Sequence, residues 1–111
     1  MQDKRRCSRL PCRLELRYQP RGAGDFNNAL SDDISVQGMS FVNDRFIALN
    51  TCVGLEINIF STMLTPVGRV AWVNRLPYSH RYRVGVEFIE MDQSNKNYLG
   101  DYVAMRMNKL A

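Results

Sequence analysis

Hydrophobic and polar positions alternate in short runs along most of this chain. In CRLELRY, Cys12, Leu14, Leu16 and Tyr18 alternate with Arg13, Glu15 and Arg17, the period-two pattern of a strand that buries one face. Pro20, Gly22, Gly24 and Asp25 then form a turn cluster, and Ala29 to Ile34 and Met39 to Val42 read as two short strands around a turn at Gly38. Leu55, Ile57 and Ile59 alternate with Glu56 and Asn58. Val67 to Val73 continues the series, with Pro66 marking an edge or a strand start. RYRVGVEF alternates Tyr82, Val84, Val86 and Phe88 with Arg81, Arg83, Gly85 and Glu87. Hairpin-like spacing of these runs predicts a mainly β protein, a small antiparallel six-stranded barrel. Trp72, Tyr82 and Phe88 fall inside alternating runs and are assigned to core or barrel packing.

After Glu90 the period changes. Asp92 is placed to cap a helix over residues 92–110, in which Tyr98, Leu99, Tyr102, Val103, Arg106 and Leu110 recur at three- and four-residue spacing. Leu99 and Val103 would face the sheet. A chain of 111 residues with 45% hydrophobic and 23% charged residues is large enough for one globular unit with its own core. No apolar run approaches the roughly 20 residues of a membrane span, and the basic, polar start has no signal-peptide pattern. A cytoplasmic location is expected.

Candidates for catalysis are few. Cys7, Cys12 and Cys52 form neither a disulfide framework nor a zinc motif. The one histidine, His80, sits in the polar stretch RLPYSHRYR and reads as a loop residue. A protein without catalytic residues, metal or cofactor is expected. Charge is distributed unevenly. Residues 1–21 hold seven basic side chains against two acidic, a net +5, and the other 90 residues hold eight against nine, a net −1. An anionic partner is implied.

Two groups of residues suit such a partner. In KRRCSRLPC, Arg5 and Arg9 are separated by three residues, and Pro11 biases Leu10 away from helix. On an extended or turning arm the two arginines lie within ~14 Å and can hold opposite sides of one ligand. A guanidinium binds phosphate oxygens bidentately, pairs with guanine O6 and N7, and stacks on purines. Asp33 and Ser35, two apart on a strand, would share one face. Their carboxylate and hydroxyl accept from groups such as the N–H donors of guanine. Gly38 permits a positive φ at the turn and close approach of a flat ligand.

The RxxxR arm before the first strand, DxSxxG at a strand turn, YRVGVEF and a final helix together resemble the PilZ domain family of bacterial cyclic di-GMP receptors, over nearly the whole chain. The resemblance implies a split-barrel fold with a C-terminal helix and a site for cyclic di-GMP at Arg5, Arg9, Asp33, Ser35 and Gly38. Arg6, inside the variable part of the motif, either adds a phosphate contact or faces solvent. Arg13 shares the RxxxR spacing with Arg9 but belongs to the polar face of the first strand. The expected organisation is a flexible ligand-binding arm at 1–10 and a barrel with its helix at 11–111. Ordering of the arm would relay the signal to a separate protein. Two other readings are a PilZ-type interaction module without nucleotide and a small OB-like nucleic-acid binder. The latter needs a basic groove, whereas the body here is slightly acidic.

Overall fold

The structure, a computed structural model, describes residues 9–21 and 24–110. Eight strands precede one helix: β1 (Leu10–Pro11), β2 (Glu15–Pro20), β3 (Asn27–Ile34), β4 (Gly38–Asn43), β5 (Cys52–Ile59), β6 (Thr62–Leu64), β7 (Val67–Arg75), β8 (Tyr82–Glu90) and α1 (Gln93–Leu110). Six of them close on themselves in the order β2, β3, β4, β8, β7, β5 and back to β2, every pairing antiparallel. β1 extends the edge of β3, and β6 forms a hairpin with β5. This is the six-stranded barrel with a C-terminal helix that the sequence predicts.

Alternation explains the interior. Val53, Leu55, Ile57 and Ile59 of β5 are buried, while Gly54, Glu56 and Asn58 between them are more open. Leu16 lies opposite Ile57 and Tyr18 opposite Leu55, so two inward faces meet in register. Tyr18 also packs on Phe41, ring centroids 5.0 Å apart, and its hydroxyl donates to Asn43 Oδ1, which satisfies both polar groups inside the core. Regular pairing in the first long strand starts only at Glu15. Through Cys12 to Leu14 the Ser31 hydroxyl takes part in the bonding, donating to the Cys12 carbonyl at 2.6 Å and accepting the Leu14 N–H at 2.8 Å.

The helix begins where its cap predicts. Asp92 Oδ1 accepts the Asn95 N–H at 2.9 Å and the Ser94 hydroxyl at 3.0 Å, and these bonds hold its carboxyl below the ordinary carboxylate range. Leu99, Tyr102 and Val103 are buried, and the Tyr98 hydroxyl donates to the Ile59 carbonyl, fastening the helix to the end of β5. Among the described residues no helix is long and apolar enough to cross a membrane.

Residues 1–8 of the arm expected at 1–10 lie outside the described residues. Its last residue, Leu10, is fully buried and pairs with Ile34, because an apolar side chain beside the closing barrel gains more from the core than from solvent. Trp72 departs from the expected core packing. The register shifts between Val70 and Trp72, so the extra residue, Ala71, breaks the alternation and Trp72 lies on the outer surface, 38% exposed. Tyr82 and Phe88 do pack against the core, partly buried.

Candidate functional site

β3 and β4 are joined by a turn that is held by its own side chain. The Ser35 N–H donates to the Gly38 carbonyl at 2.8 Å, and Ser35 Oγ accepts the N–H groups of Gln37 at 3.1 Å and Gly38 at 3.2 Å. Across the barrel surface the Phe88 N–H donates to the Gln37 carbonyl at 2.8 Å, fixing the turn to β8. Ser35 is therefore fully buried and does not share an open face with Asp33, contrary to the expectation from their spacing. It lies past the end of β3, where the chain turns, so strand periodicity no longer applies to it.

Gly38 also has a different role from the one its turn position suggests. Its φ lies outside the left-handed region, and a Cβ there would run into the Val86 carbonyl oxygen. Close approach of β4 to β8 demands the glycine. The approaching backbone is the protein's own.

Asp33 reaches the surface through a second irregularity. The β3–β4 register shifts between Ser31 and Asp33, which leaves Asp32 exposed and Asp33 half-buried between Pro11 of β1 and Ser40 of β4. Arg9 donates to Asp33 Oδ1 at 2.7 Å and the Ser40 hydroxyl donates to the same oxygen at 3.0 Å. Burial alone would raise the Asp33 carboxyl, but the hydrogen bonds from Arg9 and Ser40 and the Arg9 charge outweigh it and lower the value below the ordinary carboxylate range. Asp33 is thus ionised at neutral pH. Both side-chain bonds use Oδ1, and the Ser40 backbone also contributes to holding the carboxylate.

Beside this pair is a shallow depression of about 480 Å³. Arg9, Gln37 and Gly38 border it, and Trp72, Gly85, Glu87 and Phe88 are among the residues that line it. Trp72 lies directly opposite Gly85, where any Cβ would collide with the indole, so the glycine lets the ring rest on β8. Glu87 is held by Arg69 at 2.8 Å. An exposed aromatic plate, a guanidinium and an ionised carboxylate suit a flat ligand that carries N–H donors and negative charge.

Of the residues singled out in the sequence, the fold brings Arg9, Asp33 and Gly38 to one place. It puts Ser35 inside the turn behind them. Arg5 and Arg6 lie outside the described residues. Trp72, assigned to core packing from its place in an alternating run, lines this depression instead. Its signal was Gly85, a glycine inside an otherwise regular strand, which marks a close approach by something large.

A family model described as PilZ domain matches residues 3–105 of the chain. No curated protein sequence matches it. Among solved structures, the fold is similar to that of the Bacillus subtilis inhibitor of motility MotI, with a TM-score of 0.84 and 19% identity over 97% of this chain and 53% of that one. MrkH of K. pneumonia gives 0.81 and 14% identity over 99% of this chain and 51% of that one. The PilZ domain of YcgR from Escherichia coli, solved with c-di-GMP, gives 0.77 and 10% identity over 97% and 95%. The chain thus spans about half the length of MotI and MrkH.

Proposed function

This chain belongs to the PilZ domain family, and on that premise we propose that it is a non-catalytic receptor for cyclic di-GMP. The reading is carried by one observation. Arg9 of the RxxxR sequence and Asp33 of DxSxxG, 24 positions apart, meet in a 2.7 Å ion pair at the rim of the depression that Gly38 and Trp72 line. The neighbours solved with c-di-GMP, the YcgR domain and MrkH, agree with it.

In this reading Arg5 and Arg9 bind phosphates and the O6/N7 edge of guanine, and the Asp33 carboxylate accepts from guanine N–H groups. Trp72 offers its face to a base. Gly38 and Ser35 act through the turn. Gly38 brings the backbone against β8, and Ser35 keeps the turn amides in place. Arg5, Arg6 and Arg9 repel one another until phosphate neutralises them. Binding therefore closes residues 1–8 over the ligand, and the new surface is what a partner protein reads.

Calorimetric titration with cyclic di-GMP tests the assignment. Arg9→Ala and Asp33→Ala each remove charge-assisted bonds and weaken binding by roughly 10- to 100-fold, equivalent to ~1.5–3 kcal/mol. Cyclic di-AMP binds more weakly, because adenine presents a donor where guanine presents O6. Unchanged affinity in both variants, with circular dichroism confirming their fold, overturns the site. Hydrogen exchange checks the relay: protection rises in residues 1–8 and around Asp33 to Gly38 when ligand binds, and an arm equally protected in both states rules it out.

A further inference from the structure

β7 is flanked on both sides only at its start. Cys52 to Gly54 of β5 lie against Val67 to Arg69, and Thr51 and Asn50 exchange backbone hydrogen bonds with Val70. From Ala71 to Arg75 the strand pairs with β8 alone among the described residues. Ala71, Trp72, Asn74 and Arg75 are exposed. Five residues of open edge, roughly 17 Å at strand rise, offer backbone donors and acceptors in the spacing that an added strand completes.

The hairpin continues past this edge into a projecting tip. The Leu76 N–H donates to the Arg81 carbonyl at 2.9 Å and closes a four-residue loop, Pro77 to His80. Tyr78 stands there fully exposed, with a φ of 55°. A left-handed backbone costs a residue with a side chain roughly 1–2 kcal/mol, and Tyr78 recovers none of it by burial. The segment from Ala71 to Val86 also carries Arg75, Arg81 and Arg83 and no carboxylate. Arg83 is answered by Asp32 at 3.2 Å. Arg75 makes its side-chain bond to the Ser79 carbonyl, and neither it nor Arg81 meets a carboxylate among the described residues.

We infer that the open edge Ala71 to Arg75, together with the Tyr78 tip, is a docking surface for an extended, acidic segment of a partner protein. The segment adds as a strand to β7, its carboxylates face Arg75 and Arg81, and an apolar side chain rests on Tyr78. Only another polypeptide backbone completes a row of edge N–H and C=O groups. An oligonucleotide or an anionic membrane would engage the arginines and leave that row unpaired. A second copy of this chain would bring its own arginines to the same contact, against like charge. Tyrosine and arginine are also the side chains that anchor protein interfaces. The inference does not depend on the nucleotide reading.

Panning a display library of random peptides of about twelve residues, long enough to cover the edge and tip, against the full chain without nucleotide supplies the probe. Enriched peptides are expected to be acidic and to alternate apolar and polar positions. A synthetic copy of the best one protects the amides of Ala71 to Arg75 from hydrogen exchange. Its binding falls by about tenfold or more in the Arg75→Glu/Arg81→Glu variant, which still binds cyclic di-GMP as the unaltered chain does if that reading holds. Neutral or basic peptides, protection elsewhere, or indifference to the charge reversal overturns the proposal. A concentration-dependent dimer that protects the same edge assigns it to a second copy. An oligonucleotide that binds the tip without protecting the edge, more tightly than the peptide, assigns it to nucleic acid.

Discussion

The β3–β4 turn and the β7–β8 hairpin end are built in opposite ways on one barrel. In the first, the turn is tied down by its own bonds: Ser35 Oγ holds two turn amides, Gln37 is fixed to Phe88, and Gly38 lies where no side chain fits. In the second, a tyrosine with left-handed backbone projects into solvent beside a strand edge that is unpaired among the described residues. The first end is a finished surface against which a small ligand can be fitted, and its geometry is fixed before anything binds. The second keeps hydrogen-bonding capacity in reserve, which suits a larger partner that supplies its own backbone.

The contrast is tested most severely by Gly38→Ala. The added methyl must displace the Val86 carbonyl and with it the β4–β8 ladder, so stability falls by roughly 1–3 kcal/mol, read from urea unfolding. A variant as stable as the unaltered chain would show the turn to be no more constrained than the tip. Ser35→Ala comes next. It strands the Gln37 and Gly38 amides, at about 1–3 kcal/mol, and speeds their hydrogen exchange.

Arg9→Ala changes stability less, by at most about 1 kcal/mol, because the ion pair with Asp33 is partly exposed. Its effect is clearer in pH dependence. The Asp33 carboxyl lies below its ordinary value when folded, so ionised Asp33 contributes stability above that ordinary value, about 3.9, and the contribution is lost as pH falls through the lowered folded value. Carboxyl titration by NMR should find the Asp33 midpoint moving upward in Arg9→Ala. The smallest effect is at the tip: Tyr78→Gly relieves the left-handed backbone against the entropy of a glycine, and the net change is a gain of up to about 1 kcal/mol. A loss of stability there would mean that Tyr78 is packed after all.

What the sequence revealed follows from what a single strand or helix controls. The buried faces of β5 and β8, the Asp92 cap and the inward position of Leu99 and Val103 depend on side-chain period and local chemistry, and all were legible. The two bulges were not. Whether Ala71 or Asp32 is an extra residue depends on the register of the strand opposite, which one run of letters does not contain. Trp72 was misplaced for that reason. Gly38 was singled out for its turn position, whereas what requires a glycine there is the close approach of β8, a property of barrel closure and not of turn chemistry. Ser35 was placed on an open strand face beside Asp33, but the strand ends at Ile34, and the turn that buries Ser35 is tied to β8 through the Phe88–Gln37 bond.

The indole resting on Gly85 has an optical consequence. Trp72 is the sole tryptophan in the chain, so light that excites indole selectively reports from one point, the wall of the depression. A purine placed over that ring would quench its emission. The protein therefore contains its own fluorophore at the place where occupancy has to be known, and ligand binding can be followed in unlabelled material.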